Sequence, residues 1–145
     1  MIEQSNQQLA TDLRTVITRL IKKLRSKSAT GAGLSLTERS TLALLDQHKK
    51  LLPSELASME KITTQSMSQI LNHLLELGYI QRRSSEKDKR KVIISISKTG
   101  RSILYKVRNE RDEWLNKALI DICSEKEKEL LRRAIAPLAK LVEFD

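Results

Sequence analysis

Gly78-Tyr-Ile-Gln-Arg-Arg-Ser-Ser-Glu-Lys-Asp-Lys-Arg-Lys-Val-Ile-Ile-Ser-Ile-Ser-Lys-Thr-Gly100 sets a charged tip between two short apolar alternations, directly after a helical pattern. Ile80 opens the first alternation, and Val92, Ile94 and Ile96 alternate with Ile93, Ser95 and Ser97 in the second. That period of two is the mark of paired strands with one covered face. The stretch reads as a basic β-hairpin, a wing. Between Tyr79 and Arg111 eleven Lys and Arg residues stand against Glu86, Asp88 and Glu110, a balance of +8 out of the chain's formal +9. Charge concentrated in this way is the footprint of a polyanionic partner.

Working back towards the N-terminus, Met67, Ile70, Leu71, Leu74 and Leu77 share one face of a helix over residues 64–77, capped by Thr63 or Thr64 and ended by Gly78. Its outer face carries Thr64, Gln65, Ser66, Ser68, Gln69, Asn72 and His73, uncharged and rich in the short donors and acceptors that suit base edges in a major groove. Pro53 fits the first position of a short helix over 53–60. Ser35 and Glu38 are spaced as a capping box for another, carrying Leu42, Leu44 and Leu45 and stopping near His48. Two helices joined by a short turn, followed by a hairpin, make a winged helix-turn-helix.

Outside that unit, Leu9, Leu13, Val16, Ile17, Leu20, Ile21 and Leu24 stripe a long helix over 6–27, and residues 28–33 form a small-residue break. Two helical patterns follow Gly100, one holding Ile103, Leu104, Val107, Trp114, Leu115, Leu119 and Ile122. The other starts at a Ser124–Glu127 capping box, and Pro137 within it is expected to kink or split the helix. The fold class is mainly α with a small β-hairpin wing, α+β overall. The 145 residues suit a single domain, with 1–30 and 101–145 as dimerisation helices, 35–100 as a DNA-binding lobe and the wing over 79–97. Terminal helices more apolar than a small winged-helix core requires predict a homodimer.

Composition narrows the partner. Aromatic residues make up 3% of the chain, too few for the stacking platforms of single-strand binders, so double-stranded DNA is the expected ligand. The single cysteine, Cys123, excludes an internal disulfide, no apolar run is long enough to span a membrane, and the N-terminus lacks the features of a signal peptide. Together these predict a cytoplasmic protein. His48, His73 and Cys123 form no recognisable ligand cluster, so neither a metal nor a cofactor is expected. No nucleophile–base pair, phosphate loop or paired-carboxylate motif appears, which argues against an enzyme.

Leu56-Ala57, Leu74 with Gly78-Tyr79-Ile80, Arg82, Asp88-Lys89-Arg90 and Ile96-Ser97-Lys98-Thr99-Gly100, in that order and spacing, resemble the multiple antibiotic resistance regulator (MarR) family of bacterial transcription factors. The resemblance covers nearly the whole chain. It implies interlocked terminal helices in a homodimer, each subunit placing its recognition helix in a major groove and its wing in the adjacent minor groove. Arg90 matches the arginine that enters the minor groove, Asp88 the carboxylate that orients it, and Arg82 the arginine at the wing's base. Lys87, Lys89 and Lys91 are expected on phosphates, as is Lys61 beside the recognition helix. Leu52 departs from the family by replacing the usual Thr or Ser cap, and Lys61 by replacing a small residue. The expected function is a dimeric repressor on a palindromic operator, released by an effector of small aromatic or phenolic type. A weakly specific architectural DNA binder and a winged-helix interaction adaptor are the alternatives.

Overall fold

The computed structural model describes residues 2–31 and 33–145. Ala32, within the expected break, lies outside the described residues. Six helices and three short strands follow in the order α1 (Ile2–Ser26), α2 (Leu36–His48), β1 (Lys50–Leu51), α3 (Pro53–Glu60), α4 (Thr64–Glu76), β2 (Ile80–Ser84), β3 (Val92–Ile96), α5 (Lys98–Ile122) and α6 (Glu125–Glu143). The winged helix-turn-helix is present, α3 and α4 forming its helical pair and β2 and β3 its wing.

Side-chain caps fix most of the helix starts. Ser35 Oγ accepts from Glu38 N–H at 3.1 Å while Glu38 Oε1 accepts from Ser35 N–H at 2.8 Å, so both halves of the capping box form. Ser124 and Glu127 repeat the arrangement at α6. At α4 the cap is Thr63, whose Oγ1 accepts from Ser66 N–H at 3.0 Å. Leu52 has no capping oxygen, yet Glu55 accepts its N–H at 2.9 Å, and Pro53 at the first position lacks the N–H that would otherwise go unpaired. The helix therefore starts where the sequence places it despite the missing hydroxyl.

Two left-handed residues end α3 and α4. At α4 it is Gly78, φ 78°, with Tyr79 N–H returning to Leu74 O at 3.0 Å. At α3 it is Lys61, φ 56°, with Ile62 N–H returning to Ala57 O at 3.0 Å. A side chain in this conformation costs roughly 1–2 kcal/mol that glycine would not. Because α4 ends at Glu76, Leu77 turns outward, 40% exposed, and does not join the inner face expected of it.

The core gathers Leu42 and Leu45 of α2, Leu56 of α3, Met67, Leu71 and Leu74 of α4, Ile80, Ile94 and Ile96 of the wing, and Leu104 of α5. Each fully buried side chain of this size stabilises by about 1.5–3 kcal/mol. The sheet order is β1-β3-β2, all antiparallel, with Lys50 opposite Ser95 and Leu51 opposite Ile94. Strand β1 was not expected, since two residues carry no alternation. Its Leu51 caps the core beside Ile94.

The terminal helices contribute little to that core. Helix α6 buries no residue, and Pro137 sits inside it without splitting it. Its Leu130, Leu131, Ile135, Leu141 and Val142 are exposed, as are Leu9, Val16, Ile17, Leu20 and Ile21 of α1. Trp114 is half-buried with Lys27 Nζ 6.0 Å from its ring centre, and Cys123 is half-buried at the end of α5. Among the described residues no helix is long and apolar enough to cross a membrane, and no group of three or more His, Cys, Asp or Glu converges as for a metal.

Candidate nucleic-acid interface

Met67, Leu71 and Leu74 anchor α4 in the core, so the helical period turns its other side to solvent. Thr64, Gln65, Ser66, Ser68, Gln69 and Asn72 are all exposed there. Two of the hydroxyls are held locally, Ser66 Oγ by Thr63 Oγ1 at 2.9 Å and Ser68 Oγ by Thr64 O at 3.0 Å. Gln65, Gln69 and Asn72 are the long amides of this face, the groups with the reach and the paired donor and acceptor that an adenine edge matches.

His73 is placed differently from the rest of that set. Its Nδ1 meets Glu38 Oε2 on α2, while Oε1 of the same carboxylate holds the Ser35 cap. Burial pushes the Glu38 carboxyl upward, but the Ser35 N–H and the His73 ring outweigh it and hold it below its ordinary value. The carboxylate in turn raises His73. The imidazole therefore ties α4 to α2, with its side chain 44% exposed.

The wing begins at the end of α4 and returns to the same point. Ile80 pairs with Ile96, Arg82 with Ile94 and Ser84 with Val92. Arg82 lies in the cleft between wing and recognition helix, beside Ser68 and Asn72 of α4 and Pro53 of α3. At the tip Ser85 N–H donates to Lys91 O at 2.8 Å and Lys91 N–H to Asp88 O at 2.9 Å, closing a tight loop. Asp88 Oδ1 accepts both Arg90 N–H at 3.1 Å and Arg90 Nε–H at 3.2 Å. It holds the base of the guanidinium while the Arg90 side chain stays 91% exposed. Asp88 and Arg90 are thus in contact, as the resemblance implied. Lys87, Lys89 and Lys91 surround it, all exposed. Lys61 is exposed in the turn just ahead of α4, whose first N–H groups favour an anion.

At the neck of the wing, Ser97 N–H donates to Tyr79 O at 2.9 Å and Ser97 Oγ donates to Gly78 O at 2.6 Å. The same Oγ accepts from Gly100 N–H at 2.9 Å and so caps α5. Gly100 packs on the Tyr79 carbonyl so closely that a Cβ there would lie 2.0 Å from its oxygen.

A family model described as the MarR family matches residues 32–91. An uncharacterized HTH-type transcriptional regulator of Mycobacterium leprae is 30% identical over 139 residues, 96% of each chain. The chain belongs to the MarR family. It is a DNA-binding transcriptional regulator, and the relative of Mycobacterium leprae is described as an HTH-type transcriptional regulator. A crystallised transcriptional-regulator candidate from Pseudomonas aeruginosa superposes on this MarR chain with a TM-score of 0.86 at 30% identity, covering 97% of this chain and 98% of the other. The fold extends to a MarR family protein of Bacillus stearothermophilus, TM-score 0.82 at 19% identity over 99% of both chains.

Two features of this MarR regulator escaped the sequence. Asp46 of α2 accepts from Arg101 Nε–H at 3.1 Å and from Tyr105 O–H at 3.1 Å, with Arg108 at 3.8 Å, which joins α2 to α5. Those partners are more than fifty residues away, and no local pattern announces them. Arg83, next to Arg82, points to the opposite side of the sheet with Gln81 and Lys50. Strand alternation carried that signal, once the register was known.

Proposed function

We propose that this MarR regulator acts as a homodimeric, sequence-specific repressor, relieved when a small aromatic or phenolic effector changes the separation of its two recognition helices. The observation that carries the reading is the coupling of an uncharged, exposed amide face on α4 to a wing arginine already oriented by Asp88. Gln65, Gln69 and Asn72 then read base edges, Thr64, Ser66 and Ser68 supply shorter contacts, and Arg90 enters the minor groove, whose negative potential favours it. Arg82, Lys61, Lys87, Lys89 and Lys91 hold phosphates. His73 supports the recognition helix through Glu38.

Residues 1–30 and 101–145 build the dimer and 35–100 the DNA-binding lobe. The support is the run of apolar side chains that α1 and α6 expose in a single chain, Val142 at 85% and Ile135 at 66% among them, since extended apolar surface marks an interaction face. Two-fold pairing sets the half-sites of a palindrome about 10 bp apart.

Selection of an operator from random duplexes, followed by fluorescence anisotropy at fixed salt, tests the reading. Arg90→Ala should weaken operator binding by about 10- to 100-fold, the usual worth of one base-reading side chain, with no change in melting temperature. Unchanged affinity would remove the wing from recognition. Equal affinity for selected and random duplexes would leave a purely architectural DNA binder.

A further inference from the structure

The three-stranded sheet has two faces, and the core uses one. Ile80, Ile94 and Ile96 point inward, 4%, 2% and 8% exposed. The register places Lys50, Ser95 and Gln81 in a row across all three strands on the opposite face, with Arg83 beside Ile93 one step further along. Ser85, Glu86 and Lys87 of the wing tip adjoin that outer face. Together they enclose an open groove of about 500 Å³, lined by Lys50, Gln81, Arg83, Ser85, Lys87 and Ser95 among others.

Three of those side chains are cations, and Glu86 is the one acid in the lining. Between the cations stand hydroxyls and an amide, groups that donate to phosphate oxygens. Ile93 also lines the groove, but its three cations suit a chain of phosphates better than an apolar partner. Charged side chains on strands β1 and β2, the edges of the sheet, also discourage edge-to-edge pairing. That role calls for charge along the strand edges and does not call for a hydroxyl-lined concavity between them.

We propose that this groove grips the phosphate backbone of the same duplex, outside the minor groove that the wing tip enters, and so extends the footprint beyond the palindrome. Continuity supports the choice of occupant: Lys87 lines the groove and precedes Asp88 at the tip by one residue. Backbone contacts of this kind carry no sequence information and add affinity that depends steeply on salt. Lys50 and Arg83 are the side chains peculiar to it. The inference rests on DNA binding as proposed above.

The test compares two duplexes that share one selected operator, a short one ending at the wing tips and a long one with about 10 bp of arbitrary sequence added at each end, one further helical turn. Wild-type protein should bind the long duplex at least tenfold more tightly, with a steeper dependence of log K on log salt, by about 0.9 for each phosphate neutralised. Lys50→Gln with Arg83→Gln should abolish that gain and leave short-duplex affinity within twofold; both residues are exposed, and circular dichroism verifies the fold. Equal affinity of the wild type for both lengths overturns the proposal, as does a variant that loses equally on both or on neither. Wild-type protein that prefers no operator at all refutes sequence-specific binding itself, a separate result.

Discussion

Replacing Gly100 with alanine sets two effects of opposite sign against each other. Gly100 is the third residue of α5, where alanine is the better helix former by at most about 1 kcal/mol. A methyl group there, however, meets the Tyr79 backbone, 2.0 Å from O, 2.8 Å from C and 3.0 Å from Cα. Comfortable contact needs roughly 3.5 Å, so the deficit against the oxygen exceeds an ångström. Nothing flexible can give way: Tyr79 O already accepts Ser97 N–H, and Ser97 is held in turn to Gly78. Forced overpacking costs about 1–3 kcal/mol, and a backbone clash this short belongs at the upper end, with a hydrogen bond worth about 1 kcal/mol also displaced. After the helix-propensity gain, the net loss is about 2 kcal/mol or more. In urea titration, with a slope of about 1–3 kcal/mol per molar, the midpoint should fall by about 1 M without a change of slope. Gly33→Ala is the control, because a methyl there meets nothing within 4 Å. A Gly100→Ala midpoint equal to or above wild type would refute the close approach.

The other predictions concern the His73 pair and the terminal helices. His73, raised by Glu38, contributes stability that is complete below its ordinary pKa of 6.5 and is lost as pH rises through the raised value. Glu38 contributes above its ordinary 4.5 and loses that contribution as pH falls through the lowered value, so the pair stabilises most between about 4.5 and 6.5. Melting temperatures from pH 5 to 9 should converge between wild type and His73→Ala as pH rises; parallel curves would deny the linkage. Pro137→Ala restores an interior helix hydrogen bond and should raise the urea midpoint, by at most the ~3 kcal/mol an interior proline costs. A lowered midpoint would mean that α6 depends on the shape proline imposes. Ile135→Asp, on the exposed apolar side of α6, should turn dimers into monomers in sedimentation velocity, and an intact dimer would exclude that face from the interface.

Local chemistry explains what could be read in advance. The longer helices show themselves through a 3.6-residue stripe and α3 through Pro53 at its first position, while Ser35, Thr63 and Ser124 mark starts because their hydroxyls satisfy N–H groups of the first turn. The wing was legible for the same reason, its alternation matching the strands that formed. What stayed hidden depends on distant partners. Strand β1 exists because β3 offers an edge to Lys50 and Leu51, and two residues have no pattern of their own. His73 resembles the polar residues beside it, and only the packing of α4 against α2 brings Glu38 to it across 35 positions. On α4 the amide face was correctly placed on the outside, yet burial alone does not distinguish a base-reading Gln65 from an ordinary solvated one. That distinction belongs to the DNA.

The clamp at Gly78, Tyr79, Ser97 and Gly100 ties both ends of the wing at one point, while the tip between Ser85 and Lys91 is closed by hydrogen bonds of its own. Residues inserted at the tip would lengthen its reach at a cost of only about 0.6 kcal/mol for each doubling of the loop. On the proposed reading, minor-groove preference can therefore drift in evolution, or be grafted by an engineer, while the major-groove helix keeps its aim.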